Sequence, residues 1–136
     1  EDFAASIGAT RTPDAKELLY ARQAVVVACA AFGLQAIDIV HIDFKDEEGL
    51  RVEAEQGAGF GFSGKQVIHP NQVQVTQEAF TPSAKMIEEA QRIVETFEAS
   101  QKEGKGAFAL DGKMIDMPLL KNAQKVLERA KAAGKS

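Results

Sequence analysis

One stretch of the sequence, Gly64–Gln72, places reactive and polar side chains directly after a short apolar segment. Residues Gln66–His69 are predicted to form a strand, which a proline and the side-chain amides of Asn71 and Gln72 follow. In parallel α/β proteins, ligands bind beyond the carboxyl ends of the strands, where the loops converge. The stretch is therefore predicted to border a ligand site. A residue before proline is conformationally restricted, so His69 could instead shape the turn.

A second set of ionisable side chains lies in and after an earlier predicted strand, residues 36–44. His41 and Asp43 share one face of that strand, because side chains alternate with a period of two. Asp43 is nearer the carboxyl end and could border the same site, whereas Asp46 is more simply a helix cap. A single histidine among Ile and Val residues is more often a hydrogen-bonded core residue than a ligand. Two histidines on different strands do not give the spacing of a zinc site.

A third candidate, Asp116, directly precedes an apolar helical pattern and has Pro118 in the following turn. This arrangement is typical of an N-cap, whose side chain accepts a hydrogen bond from the first turn of the helix. Capping does not exclude catalysis, since a carboxylate held by a cap has a fixed orientation.

The elements that would position these residues alternate between helical and extended patterns. Thr12 is a predicted N-cap with Pro13 at the first helical position, and Gly33 ends this helix. Its apolar residues recur at helical spacing: Leu18, Leu19, Val25, Val26, Cys29 and Phe32. After the first strand, a second helix begins at Asp46 and is weakened by three glycines before the chain turns.

A loop is predicted to follow the Gln66–His69 strand. Thr81 and Pro82 then repeat the start of a helix, and Gly104 ends it. The apolar stripe of this helix consists of Met86, Ile87, Ala90, Ile93, Val94 and Phe97.

The Asp111-Gly112 pair predicts a hairpin between residues 108–110 and 113–115. A last apolar-striped helix opens at Asp116. The order helix–strand–helix–strand–helix predicts an α/β fold in which parallel strands are joined by right-handed crossovers.

Composition argues against several classes of function but does not identify one. The 136 residues are 45% apolar and 26% charged, which is ordinary globular usage, and the net charge of −4 does not favour a nucleic-acid partner. The single cysteine, Cys29, excludes an internal disulfide and is predicted to be a buried small apolar residue. No apolar run has the length of a membrane span. Arg11, Arg22 and Lys65 are expected to be surface charges unless the fold gathers them.

Three segments together resemble one family: Glu1–Gly8, Gly64–Gln72 and Gly112–Pro118. They are similar to the citrate lyase β-like acyl-CoA lyases of the HpcH/HpaI aldolase group, and the resemblance runs over essentially the whole chain. It implies that residues 1–104 are the closing portion of a (β/α)8 TIM barrel. Residues 105–136 would form a C-terminal hairpin–helix extension, and about five earlier strand–helix units would lie outside the sequence.

The resemblance also implies an activity and its residues. The expected reaction is Mg²⁺-dependent cleavage of citramalyl-CoA to acetyl-CoA and pyruvate, together with a malate synthase-type condensation of acetyl-CoA and glyoxylate. Asp2 matches a carboxylate ligand of Mg²⁺, and Asp116 matches the general acid/base at the acetyl-CoA methyl carbon. The implied partners are acyl-CoA and 2-oxo acid substrates and further copies of the chain in a trimer, and the implied location is the mitochondrion.

Two alternatives remain at this point. The chain could be an inactive fragment or an interaction module, because the unpaired edges of parallel strands favour association. It could also be a metal-dependent aldolase acting on free keto acids. Asp116 and its hairpin argue against this second alternative, because that extension is what the acyl-CoA lyases add.

Overall fold

The computed structural model describes residues 2–102, 108–110 and 112–135, with the backbone alone at residues 102, 108 and 113. The chain is α/β and mostly helical, and it divides into two compact units, Glu1–Phe80 and Thr81–Ser136. Glu1, the predicted helix end at Gly104 and the turn residue Asp111 lie outside the described residues. The expected boundary after residue 104 also lies there and stays a prediction.

The first unit consists of helices around a short parallel strand pair. Its elements are α1 (Asp2–Ser6), a 3₁₀ turn (Lys16–Leu18), α2 (Leu19–Ala31), β1 (Ile37–Asp38), α3 (Glu47–Phe60), β2 (Gly64–Lys65) and α4 (Asn71–Phe80). The second unit contains α5 (Ala84–Lys102), β3 (Phe108–Leu110), β4 (Lys113–Ile115) and α6 (Met117–Ala132).

β1 and β2 are parallel, as predicted, with Ile37 opposite Gly64 and Asp38 opposite Lys65. The predicted extents of the strands, residues 36–44 and 66–69, are wrong: β1 contains only Ile37 and Asp38, and β2 (Gly64–Lys65) ends before residue 66. Beyond the ladder, backbone groups form hydrogen bonds with side chains. Asp38 Oδ1 accepts from its neighbour's amide, at Ile39, and Lys65 Nζ donates to the Ile39 carbonyl.

The predicted start of α2 at Thr12 and Pro13 is also wrong. The Thr12 hydroxyl hydrogen-bonds the Glu17 carboxylate at 2.6 Å instead of capping a helix. Ala15 then adopts a φ of 50°, which interrupts any helix running from Pro13. Hydrogen bonds from Thr12 and then Arg11 lower the pKa of Glu17 to about 2. This polar turn moves the first helical residue several positions along the chain.

The predicted cap of α3 is confirmed: Asp46 Oδ1 accepts from the Gly49 amide at 2.9 Å. The helix ends where Gly61 adopts a φ of 103°, a conformation that favours glycine. Within the helix, Gly57 is buried against the side chain of Asp38, so its missing side chain makes room for a carboxylate.

α4 occupies residues that were predicted to form a loop, so that prediction is wrong. Its buried residues are Gln72, Val75 and Thr76, which lie on one helical face. Two of the three are polar, and an apolar periodicity therefore cannot reveal the helix.

In the second unit, α5 begins after Ser83, whose hydroxyl accepts from the Met86 amide at 3.2 Å. The predicted start at Thr81 is therefore wrong by two residues. The core of this unit contains Ala90, Ile93, Ile115 and Ala123, packed against Val94, Leu110, Leu119, Val126 and Leu127. The apolar stripes predicted for α5 and α6 supply most of this set.

The predicted hairpin is confirmed. β3 and β4 are antiparallel, with Leu110 opposite Lys113, and Gly112 in the turn has a φ of 77°. Directly after β4, Asp116 caps α6: its Oδ1 accepts from the Leu119 amide at 3.0 Å.

Two glycines of α3 give a matched test of the Gly57 packing. Gly57→Ala places a methyl group against the Asp38 carboxylate, which cannot move without leaving its buried partners. We expect its free energy of unfolding to fall by about 1–3 kcal/mol. Gly59→Ala meets open space and should stabilise by up to about 1 kcal/mol through helix propensity. Urea unfolding measures both, and equal shifts in the two variants would contradict the packing argument.

Candidate site at the carboxyl ends of the parallel strands

Four charged side chains, Arg22, Asp38, Glu53 and Lys65, form a buried ion cluster beside the strand pair. Arg22 Nε and Nη2 donate to Asp38 Oδ1 and Oδ2 at 2.9 and 2.7 Å. Lys65 Nζ donates to Glu53 Oε1 and lies 3.9 Å from Asp38 Oδ2. The residues come from α2, β1, α3 and β2, so the cluster joins all four elements.

Charge balance makes this burial possible. Two cations face two carboxylates, and the guanidinium fork matches the carboxylate in a bidentate pair, which offsets part of the desolvation cost. A further donor, Arg22 Nη1, reaches Gln56 Oε1 at 2.6 Å, and the guanidinium lies 5.2 Å from the centroid of the Phe60 ring.

The expectation that Arg22 and Lys65 are surface charges is wrong, because each is less than 10% exposed. A signal existed in the sequence. Asp38 stands inside a run of Ile and Val residues, and a carboxylate buried in such a run requires a cation. Arg11 is instead half-buried and pairs with Glu17 at 2.8 Å.

His41 is buried, as expected for a core histidine. Its Nδ1 lies 3.5 Å from Glu53 Oε1 and its Nε2 lies 3.9 Å from Asp46 Oδ2. Nε2 makes no hydrogen bond with any described residue. The ring is therefore held by burial and by two nearby carboxylates rather than by the hydrogen bond that the prediction assumed.

Two loops, residues 39–46 and 66–70, leave the carboxyl ends of β1 and β2, and we call them the carboxyl-end loops. Gln72 joins them: its Nε2 donates to the His41 carbonyl and its Oε1 accepts from the Ile68 amide, both at 2.9 Å. Asn71 Nδ2 donates to the Phe44 carbonyl at 2.8 Å. The side-chain amides of Asn71 and Gln72 therefore hold loop backbone.

His69 and Asp43, the other candidates at this edge, are exposed. The His69 ring stacks on Phe44 with centroids 4.7 Å apart, and its Nδ1 lies 2.7 Å from Asn71 Oδ1. Asp43 Oδ1 accepts from the Lys45 amide at 3.1 Å. Both side chains shape their local turns, which agrees with the turn-forming interpretation of His69.

Asp2 and Asp116 lie in different units of the chain. Asp2 is exposed in the first turn of the five-residue helix α1, and Asp116 is exposed at the N-terminus of α6. Across residues 2–102, 108–110 and 112–135, no three His, Cys, Asp or Glu side chains are grouped so as to hold a metal ion. Among the same residues, no helix combines the length and apolar character that crossing a membrane requires.

An α/β chain with polar loops at the carboxyl ends of parallel strands fits a family of lyases and aldolases. The chain belongs to the HpcH/HpaI aldolase/citrate lyase family, whose family model matches residues 1–70.

Curated relatives extend the match beyond residue 70. The mitochondrial citramalyl-CoA lyase of Mus musculus is 56% identical over 130 residues, which cover 96% of this chain and 38% of that protein. The citrate lyase subunit beta of Escherichia coli K12 is 37% identical over 134 residues, or 98% of this chain and 44% of that subunit. The chain thus spans about four-tenths of the length of these relatives.

A solved structure shows the same fold. The protein CitE of Mycobacterium tuberculosis, in complex with magnesium, acetoacetate and coenzyme A, matches with a TM-score of 0.77 and 37% identity. The match covers 94% of this chain and 48% of the CitE chain.

Removing one carboxylate from the buried ion cluster should lower the stability of the fold. Asp38→Asn leaves the Arg22 guanidinium buried without its counter-ion, and we expect the free energy of unfolding to fall by about 3–5 kcal/mol. The exposed Asp43→Asn is the control and should change it by less than about 0.5 kcal/mol. Urea unfolding of both variants measures the difference. Similar midpoints would mean that the ion pair does not hold the first unit together.

Proposed function

We propose that the chain is the closing portion of a (β/α)8 TIM barrel over residues 1–104, followed by a hairpin–helix extension over residues 105–136. The parallel pairing of β1 and β2, with α3 between them, supports the barrel assignment. The likeness to CitE over 94% of the chain supports it further.

We propose that this chain forms part of a Mg²⁺-dependent acyl-CoA lyase that cleaves citramalyl-CoA to acetyl-CoA and pyruvate. The observation that carries the proposal is Asp116, an exposed carboxylate held in one orientation at the N-terminus of α6. It stands in the segment Met114–Leu120, on which the family resemblance depends. Relatives named citramalyl-CoA lyase and a CitE structure that holds magnesium and coenzyme A support the substrate class.

In this proposal Asp116 handles the proton at the acetyl carbon. Cleavage breaks the bond between that carbon and the hydroxyl-bearing carbon, and the hydroxyl proton passes to water as the pyruvate carbonyl forms. The acetyl-CoA enolate then takes a proton from the Asp116 carboxylic acid. The Leu119 amide occupies Oδ1, so Oδ2 is the oxygen proposed to carry this proton. Condensation of acetyl-CoA with glyoxylate, the second proposed activity, would use the carboxylate form to remove it.

Asp2 is the proposed Mg²⁺ ligand from this chain. Mg²⁺ is commonly held by one or two carboxylates together with substrate oxygens and water, and an exposed carboxylate fits one of these positions. No three potential metal ligands are grouped among the described residues, and the proposal places the other protein ligand in a part of the longer relatives that this chain does not match. When bound, the ion supplies Lewis-acid polarisation of the oxygen next to the substrate carboxylate.

Two further properties belong to the same proposal. Mitochondrial location follows the names of the mammalian relatives. A homotrimeric assembly, in which the extension reaches a neighbouring barrel, follows the family resemblance.

The catalytic assignment can be tested in a chimera in which this chain replaces the matching segment of the mouse relative. Asp116→Asn should lower kcat for citramalyl-CoA cleavage by about 10²–10⁴-fold, because the amide cannot donate the proton. The melting temperature should change little, since Asn caps helices about as well as Asp. Glu128→Gln, an exposed change on the same helix, is the control. Near-normal turnover of the Asp116 variant would remove this residue from the mechanism.

The metal assignment is tested in the same chimera through its Mg²⁺ requirement. Asp2→Asn should raise the Mg²⁺ concentration for half-maximal activity by at least about tenfold, because a neutral amide binds the ion less tightly. Glu48→Gln, an exposed carboxylate on α3, should leave the requirement unchanged. An unaltered Mg²⁺ requirement in the Asp2 variant would place the ligand elsewhere.

A second candidate function, an interaction module, is favoured by the exposed side chains of α2 and the residues after it. Tyr20, Val27 and Phe32 are each at least 70% exposed, and Phe32 belongs to the apolar stripe that the sequence predicts for this helix. An inactive chimera would favour this candidate over the lyase.

A further inference from the structure

Gln72 is among the most completely buried large side chains of the described chain, at 1% exposure. Both atoms of its amide are engaged, and both partners are backbone groups: the His41 carbonyl and the Ile68 amide. These groups belong to the two carboxyl-end loops and not to the helix that carries Gln72. The side chain therefore acts as a cross-link between loops.

The cross-link begins where the strand ladder stops. The last backbone bond between the two segments runs from the Gln66 amide to the Asp38 carbonyl at 3.1 Å. Beyond it, the two loops are no longer paired to each other through backbone atoms at residues 41 and 68, and the Gln72 amide supplies one bond to each. Past the ladder, the loops are thus joined by the Gln72 amide, by the bond from the Asn71 amide to the Phe44 carbonyl, and by the stacking of His69 on Phe44.

The outer faces of the joined loops carry exposed apolar side chains. Ile42, Phe44 and Ile68 are 51%, 40% and 55% exposed, and the two amides bond the backbone of Phe44, of Ile68 and of His41, the residue before Ile42. Exposed apolar groups on loops with a fixed conformation are suited to contact a ligand. The entropy cost of ordering these loops falls on folding and not on binding.

We propose that Gln72 is a positioning residue for the acyl-CoA ligand: it fixes the two carboxyl-end loops at the spacing in which their outer faces bind the coenzyme A part. This inference rests on the proposed function, which supplies the ligand class. Ligands of parallel α/β folds bind beyond the carboxyl ends of the strands, where these loops lie. Gln72 does not touch the ligand in this proposal; it acts through the backbone at His41 and Ile68.

The chemistry of the side chain explains why an amide is required. A methionine would fill a similar volume but would leave the Ile68 amide and the His41 carbonyl without their partner. These groups could recover hydrogen bonds to water only if the loops moved apart. We therefore expect substitution of Gln72 to change the positions of the carboxyl-end loops more than it changes the packing of α4.

The test measures, by isothermal titration calorimetry, the affinity for coenzyme A of the 136-residue chain placed in the mouse chimera described above. Gln72→Met should weaken binding by at least about tenfold, because the two hydrogen bonds that position the loops are lost. Gln74→Met is the matched control, since Gln74 lies on the same helix, is exposed and bonds only to Glu78 among the described contacts. It should bind coenzyme A as the unmodified chain does. Amide hydrogen exchange at Ile68 should be faster in the Gln72 variant alone.

The outcomes separate this inference from the function on which it rests. Absence of coenzyme A binding by the unmodified chain overturns the proposed function for this chain, and the inference with it. Binding by the unmodified chain together with unchanged affinity of a folded Gln72→Met variant overturns the inference alone.

A second variant covers the case in which Gln72→Met does not fold. In Gln72→Glu the ionised carboxylate can accept from Ile68 but cannot donate to His41, whereas the protonated form can do both. Burial at this position should raise the pKa of the introduced carboxyl, so coenzyme A affinity relative to the unmodified chain should be low near about pH 8 and recover towards about pH 5. A ratio that stays constant over this range overturns the inference.

Discussion

The paired burial of Arg22 and Asp38 is the constraint on which the first unit depends. Neither charge can enter an apolar interior alone, and their bidentate pair spans the distance between α2 and β1. Because Asp38 also approaches Lys65, which bonds Glu53, the positions of β2 and α3 are tied to the same requirement. Gly57 completes the arrangement by leaving space for the carboxylate. A two-residue strand pair would be too short to specify these positions by backbone pairing alone.

The ion cluster also explains why the strands are short. Asp38 and Lys65 use their side chains to bond the backbone of residue 39, so the chain leaves the ladder directly after the buried charges. The carboxyl-end loops then depend on the amides of Asn71 and Gln72 for their spacing. The buried ion cluster therefore positions the strand pair, and the amides of Asn71 and Gln72 position the carboxyl-end loops that follow it. The candidate ligand site lies at these loops. A substitution in the ion cluster or at either amide should therefore change the position of the carboxyl-end loops.

Sequence patterns predicted the elements whose signals are local. Asp46 and Asp116 are found as caps, Gly112 lies in the turn of the confirmed hairpin, and the apolar spacing of α5 and α6 matches their core. The misses at Arg22 and at the helix that carries Gln72 share a physical cause, since each depends on a partner far away in sequence. Arg22 meets Asp38 sixteen residues later, and Gln72 meets His41 thirty-one residues earlier. No periodicity encodes such pairs. The roles of Asp2 and Asp116 stay predictions, because they come from family resemblance.

A position at a helix N-cap is not by itself evidence of catalysis, because this chain has two such aspartates in different surroundings. Asp46 and Asp116 are both N-caps whose Oδ1 accepts from the amide three residues later, at 2.9 and 3.0 Å. Their surroundings differ. Glu47 and Glu48 follow Asp46, whereas the first turn of α6 contains no acidic residue. Beside two further carboxylates, an anionic acyl-CoA would be repelled from Asp46. Asp116 offers the same fixed orientation without that repulsion, which is the physical reason to assign proton transfer to the second cap rather than to the first.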